Sequence, residues 1–242
     1  DAGTAAVSLV AGRNVLDNGD SHMDVTAADL RINAGTGAGE SDAHLDIDID
    51  NVSAVATSGG VFLHETDGAV VTEIAEFTVN RVLLDATTST TDVTDAAQSD
   101  LATTSDGAIV LDADAGNLTV TDGGDADDLG VSAAGRGNVL LTTDTGAIAL
   151  QSVVNGGTGN VSVLAETNMT QEVVAADIGH ITTSGTGTVD VEAVTGSITM
   201  TDGATTTTAD ANIRYEAAVD IKLGGIDAGT AAVSLVAGRN VL

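Results

Sequence analysis

Residues 137–166 read GNVLLTTDTGAIALQSVVNGGTGNVSVLAE, and the fold class follows from this stretch. Gly137, Gly146 and Gly159 each precede a small or polar residue and then an apolar–x–apolar run: Val139–Leu141, Ile148–Leu150 and Val161–Val163. Apolar side chains at every second position are the pattern of a strand that buries one face. The phrase recurs after Gly107, Gly116, Gly187 and Gly196. Without the leading glycine it continues through Asn212–Tyr215, Ala218–Ile221 and Ala232–Leu235. Some spacings are 9 residues and others lie near 20. Two or three short strands in a turn of about 20 residues is the signature of a β-solenoid, whose coils each stack only on their neighbours. The expected fold is all-β, a β-solenoid.

Upstream, His44–Asn51 (HLDIDIDN) alternates cleanly, with Leu45, Ile47 and Ile49 on one face and Asp46, Asp48 and Asp50 on the other. Residues 69–84, AVVTEIAEFTVNRVLL, have the spacing of an amphipathic helix, but their Val, Thr, Ile and Phe content favours strands. Residues 86–105 are rich in Thr, Asp and Ser and read as a loop or insertion, and residues 17–20 read as a polar turn. Asn14, Asn51, Asn117, Asn138, Asn160, Asn212 and Asn240 each stand directly before an aliphatic residue. That placement predicts corner positions at which the amide caps backbone groups or stacks into a ladder.

Asp1–Leu16, DAGTAAVSLVAGRNVL, returns unchanged as Asp227–Leu242. Residues 1–226 are therefore expected to form one tandem unit, and residues 227–242 the start of an identical one. Both belong to a single continuous solenoid segment, 1–242, with about eleven coils per unit at about 20 residues each. Neighbouring units placed end to end, in the same chain or a polymer, are the expected partners.

Composition supports a thin, regular coil. The chain has 43% hydrophobic residues but only 1% aromatics, no Pro and 29 Gly. A core of Ala, Val, Leu, Ile and Thr suits a narrow cross-section filled in layers, and its turns must come from Gly, Asn and Asp. Seven basic residues against 36 acidic ones give a net charge of -29. That balance excludes nucleic acid and anionic membrane surfaces as partners. No apolar run is long enough for a membrane-spanning helix. With no Cys there is neither a disulfide framework nor a thiolate metal site. Spread over a unit of about 55 Å, the charge is about one per 2 Å of axis, close to duplex DNA, so counterions should gather along it.

The units at 137–166 and 185–203, with the segments LDIDIDNVSAVATSGGVFLHETDGAVV (45–71) and TDAAQSDLATTSDGAIVLDADAGNLTVTDG (94–123), resemble the β-strand repeats of giant bacterial surface proteins. That class comprises the filamentous-haemagglutinin-like adhesins and large exoproteins. The resemblance implies a right-handed parallel β-helix, export to the cell surface, and a role in adhesion or as an extracellular fibre. It carries no catalytic residues.

Calcium is the cofactor to weigh. Asp46, Asp48 and Asp50 form one candidate set; Asp122, Asp125, Asp127 and Asp128 form the other. The second set resembles the GGxGxDxU repeat of calcium-binding β-rolls, with Ala126 in place of a Gly and no tandem recurrence. Calcium takes six to eight oxygens at one point, whereas alternating Asp on a strand are about 6.6 Å apart and converge only with help from adjacent coils. A solvated acidic face is the favoured reading of each set, with calcium as the alternative. A polysaccharide-acting enzyme is the least favoured reading: carboxylate pairs abound, but the aromatic platforms and basic residues that hold sugars are nearly missing. His22, His44, His64 and His180 are scattered and expected at surface or turn positions. Gly35, Gly37 and Gly39 lack the following helix and the Lys of a phosphate cradle. The sequons at Asn51, Asn117, Asn160 and Asn168 mostly coincide with the Asn–aliphatic pattern. The expectation is thus a non-catalytic, extracellular structural segment, with a calcium-dependent adhesin or a module that binds a cell-surface or glycan receptor through its loops as the alternatives.

Overall fold

The structure, a computed structural model, describes residues 1–91, 93–125 and 127–242. Strands from Ala6–Ala11 to Asn240–Val241 join into one 25-stranded sheet whose neighbours pair in parallel. The sheet coils on itself as a three-sided solenoid. Side 1 holds Gly60–Glu65, Ile109–Ala113, Val139–Thr143, Val161–Ala165, Val189–Ala193, Ile213–Ala217 and Val233–Ala237. Side 2 holds Leu118–Val120, Ile148–Leu150, Met169–Gln171, Ile198–Met200, Asp220–Lys222 and Asn240–Val241. Side 3 holds Leu101–Thr103, Leu129–Ala133, Val153–Asn155, Ile181–Thr182, Thr205–Thr207 and Gly225–Asp227. The chain visits them in the order 1, 2, 3. In the first coils the long strands Val25–Ala34 and Leu45–Ala56 wrap across all three.

Alternation explains the core. In Val139–Thr143 burial alternates, and the inward Val139, Leu141 and Thr143 face the axis. Register stacks like on like: Leu63, Leu111, Leu141, Val163, Val191, Tyr215 and Leu235 form one column. Leu63 through Tyr215 in that column are fully buried. The leading glycines serve close approach. A Cβ on Gly137 would collide with the carbonyl of Gly107, and one on Gly159 with that of Gly137. Backbones of successive coils touch there, so any side chain is excluded.

The coils are longer than expected. Cα partners are 18 to 30 residues apart, and 47 to 49 across one excursion. Nine successive strands occupy side 1 among the described residues, from Asn14–Val15 through Gly37–Ala38 to Val233–Ala237, against about eleven expected. The missing coils are residues spent outside the prism. After Val70–Val71 the chain leaves as an antiparallel arm, pairing Phe77–Thr78 with Thr94–Asp95 and Arg81–Val82 with Thr88–Ser89, and rejoins at Leu101. Residues 69–84 thus supply the short strands Val70–Val71, Phe77–Thr78 and Arg81–Val82 rather than a helix. The insertion expected at 86–105 is the return limb of this arm, and Leu101–Thr103 is core strand, because Leu101 alternates with Thr103 into the axis. Asp92 lies outside the described residues.

The asparagine corners form as capping sites. Asn138 Oδ1 accepts from the Asn160 N–H at 2.9 Å and from Asn160 Nδ2 at 3.1 Å, a two-step ladder that Asn160 extends to the Thr188 N–H. Asn117 and Asn212 cap Ala147 and Ala232 in the same way. Asn51 and Asn240 instead donate to Asp29 and Asp220.

Candidate functional site

The carboxylates concentrate where the chain leaves and re-enters the prism between sides 2 and 3. Three excursions share that corner: the arm, residues 121–128, and the small hairpin of Val173–Val174 with Asp177–Ile178. Asp100 and Asp128 precede strands Leu101–Thr103 and Leu129–Ala133 with φ of 68° and 67°, the left-handed conformation that Asp tolerates better than most residues. The bend turns each side chain back toward the loops.

Two carboxylate triads result. One ligand atom from each of Asp100, Asp125 and Asp127 lies within 4.8 Å of the others, and the same holds for Asp122, Asp128 and Asp177. In each triad one acid is sequestered: Asp100 and Asp122 are both 7% exposed, and each keeps an Oδ1 with no hydrogen-bond partner. Burial pushes the Asp100 carboxyl up to about 8, with Asp125, Asp127 and Asp122 adding repulsion. Asp122 and Asp125 are raised for the same reasons. A cavity of about 450 Å³, lined by Val55, Glu73, Gln98, Asp100, Gly124 and Asp125, opens beside the first triad. Chemically, this is a hard-oxygen site with too much negative charge for its solvation, the setting in which a divalent cation is most stabilising.

A third triad, Asp48, Glu65 and Asp67, sits on side 1. Glu65 is fully buried; its Oε1 accepts from the Ile49 and Asp67 N–H groups, Oε2 has no partner, and burial pushes the carboxyl up to about 8.

The two sets of aspartates expected from the sequence are redistributed. Asp46, Asp48 and Asp50 do not converge. Asp46 binds His64 Nδ1 at 2.9 Å, Asp48 joins the Glu65 triad, and Asp50 is exposed, because alternate residues on a strand stand too far apart to share an ion. Asp122, Asp125, Asp127 and Asp128 do converge, split between two triads, and Ala126 lies outside the described residues. Sequence reading missed Asp100, Asp177 and Glu65. Glu65 carried a signal: it follows Val61 and Leu63 at the inward parity of Gly60–Glu65, so a charged residue points into the core. Asp100 and Asp177 carried none, since they reach the site from other coils.

His64 is not a scattered surface histidine. It bridges coils, with Nδ1 on Asp46 and Nε2 on Asp114 at 2.8 Å, and chiefly the Asp114 bond raises its pKa to about 9. His22 is exposed beside Asp20, the His44 ring lies tilted against Phe62 with centroids 5.7 Å apart, and His180 Nδ1 accepts from the Thr205 N–H.

No protein-family model, curated protein or solved structure matches the chain.

Proposed function

We propose that the chain is a segment of an extracellular bacterial fibre, stalk or surface adhesin built from tandem, right-handed β-solenoid repeats. Its role is mechanical rather than catalytic, and its partners are neighbouring repeats end to end. The observation that carries this reading is the continuous parallel pairing of coils from Ala6 to Val241, which bonds each coil along the axis only to the coils before and after it. Such a stack has no intrinsic length limit and resists extension through its backbone ladders. Right-handedness follows from the rule that parallel β-crossovers turn that way in about 98% of cases. The charge of -29 keeps such a rod wet and discourages side-by-side association. The resemblance to giant bacterial surface proteins and the identity of Asp1–Leu16 with Asp227–Leu242 point the same way. Chains of one, two and three units should give rods that lengthen by about 40 Å per unit in small-angle X-ray scattering, at about 4.8 Å per coil. Particles that grow in all directions would rule the fibre out.

A second reading rests on the buried, unpartnered oxygens of Asp100 and Asp122: the corner triads bind calcium and lock the arm to the coil. Calcium would accept both orphan oxygens and neutralise the repulsion among the six aspartates. Calorimetric titration should detect binding that Asp100→Asn and Asp122→Asn weaken. No heat beyond that of the double variant would exclude it.

A further inference from the structure

We infer that the two copies of the sixteen-residue segment are one seam seen from its two sides, and that at this seam the sequence advances by a third of a turn. The inference rests on the fibre reading and specifies its joint. As Asp1–Leu16, the segment is covered by the coil that follows it. The Gly35, Thr36 and Gly39 N–H groups donate to the carbonyls of Ala11, Arg13 and Val15, and the Ala2 N–H donates to Thr26 O. As Asp227–Leu242, it lies on the coil that precedes it. The N–H groups of Gly238, Arg239 and Leu242 donate to Ala217, Val219 and Ile221, and the carbonyls of Asp227, Ala232 and Leu242 accept from Thr208, Ile213 and Leu223. The side chains of Asp210, Asn212 and Asp220 cap the N–H groups of Thr230, Ala232 and Asn240.

Mapped onto one set of sixteen residues, no atom is used twice. Outside the strand ladders, the following coil takes the carbonyls of positions 5, 11, 13 and 15 and the N–H of position 2; the preceding coil takes the carbonyls of 1, 6 and 16 and the N–H groups of 4, 6, 12, 13, 14 and 16. In a parallel ladder the two edges of a strand bond through alternate residues, so the two half-interfaces are complementary. One copy can lie between both coils with every bond made. The exposed edge of Leu235–Ala237 and Asn240–Val241 therefore takes Ile32–Ala34 and Gly37–Ala38 of a further copy in the same polypeptide, in the register that Leu9–Ala11 and Asn14–Val15 show. A separate molecule would first have to strip its own Asp1–Leu16 from those strands.

The columns set the angle. Leu9 stands on side 3 with Ile32, Ala54 and Leu101, whereas its equivalent Leu235 stands on side 1 with Tyr215 and Val191. Val15 is on side 1 with Ala38 and Val61, and its equivalent Val241 is on side 2 with Ile221 and Ile198. Both steps move one side forward, so a unit closes on whole turns plus a third. Side 3 of one copy continues as side 1 of the copy before it. The arm of residues 72–100 then projects from each of the three sides in turn and returns to the first every third copy.

Hydrogen exchange tests the seam on the whole chain, compared with the same chain continued after Leu242 by residues 17–242. The N–H groups of Leu235, Ala237 and Val241 face the open edge. They should exchange at rates typical of fraying ends in the 242-residue chain and at least about a hundredfold more slowly in the continued one. Unchanged exchange at those three amides overturns the seam whether or not the molecule is elongated. Protection that instead grows with concentration in the 242-residue chain means separate molecules fill the edge, and overturns it too. Protected amides in a compact particle would leave the seam and remove the fibre. Electron micrographs of a four-copy chain should show arms on three sides; arms along one side would overturn the third-turn advance.

Discussion

Tyr215 is the only tyrosine and one of the largest fully buried side chains, placed in a column otherwise filled by Leu and Val. Its hydroxyl donates to Gln171 Oε1 at 2.6 Å and lies 2.6 Å from Thr206 Oγ1, while Gln171 Nε2 donates to Gly179 O and Thr205 O. The core thus holds one closed polar network. Tyr215→Phe leaves the ring but opens the network, so it should cost about 1–3 kcal/mol in urea denaturation, the range for a buried polar group left unpaired. The glycine column makes a sharper residue-scale prediction. Gly137→Ala drives a methyl into Gly107 O and should cost about 1–3 kcal/mol by overpacking. Gly12→Ala, with nothing within 4 Å of the new Cβ, should leave the denaturation midpoint in place. The sequence displays these glycines as a motif but not their reason, because their clash partner belongs to another coil.

Among the elements, the arm and the coil have different economies. Beyond the Ile74–Gln98 bridge the arm exposes apolar side chains: Val79 is 55% exposed, Val82 69% and Leu84 completely. Its base is anchored, with Ile74 buried and Gln98 Nε2 donating to Ile32 O and Ser53 Oγ. Replacing residues 76–96 by a short turn should therefore leave the melting temperature within a few degrees, whereas Gln98→Ala should cost about 1–2 kcal/mol through the lost hydrogen bonds. A thermal melt of each variant decides it; a large loss from the arm deletion would mean that the arm supports the prism. The polar composition of 86–105 marked an excursion, but the arm's start at residue 72 was hidden, since an arm strand and a coil strand share the same alternation.

At the scale of the molecule, Glu65, Asp100 and His64 make stability fall as pH rises, and the upward shifts of Asp122 and Asp125 act in the same direction. Glu65 and Asp100 are raised to about 8 by burial. Between their ordinary values near 4 and about 8 the folded chain keeps protons that the unfolded chain has released, so stability declines over that window and levels off above it. His64, raised to about 9, contributes fully below about 6.5 and loses its contribution as pH climbs through 9. The melting temperature should thus be highest near pH 4–5 and fall steadily toward pH 9. Excess calcium should flatten the fall above pH 6 if it holds the corner triads, and Asp100→Asn should flatten it without calcium. A melting temperature that rises from pH 5 to pH 8 would contradict the burial of these acids.

The strands, their inward faces, the coil class and the acidity of the surface were legible in the amino-acid order, because alternation and composition act within a few residues of chain. That order also marked four of the corner aspartates as neighbours. The coil lengths, the joining of Asp100 and Asp177 to those four, the sealing of Glu65 in the core, and the side on which each copy of the sixteen residues stands emerge only from the folded chain. All of these depend on register between coils 18 to 49 residues apart, and that register is set by the accumulated length of turns and excursions. No local pattern records that sum.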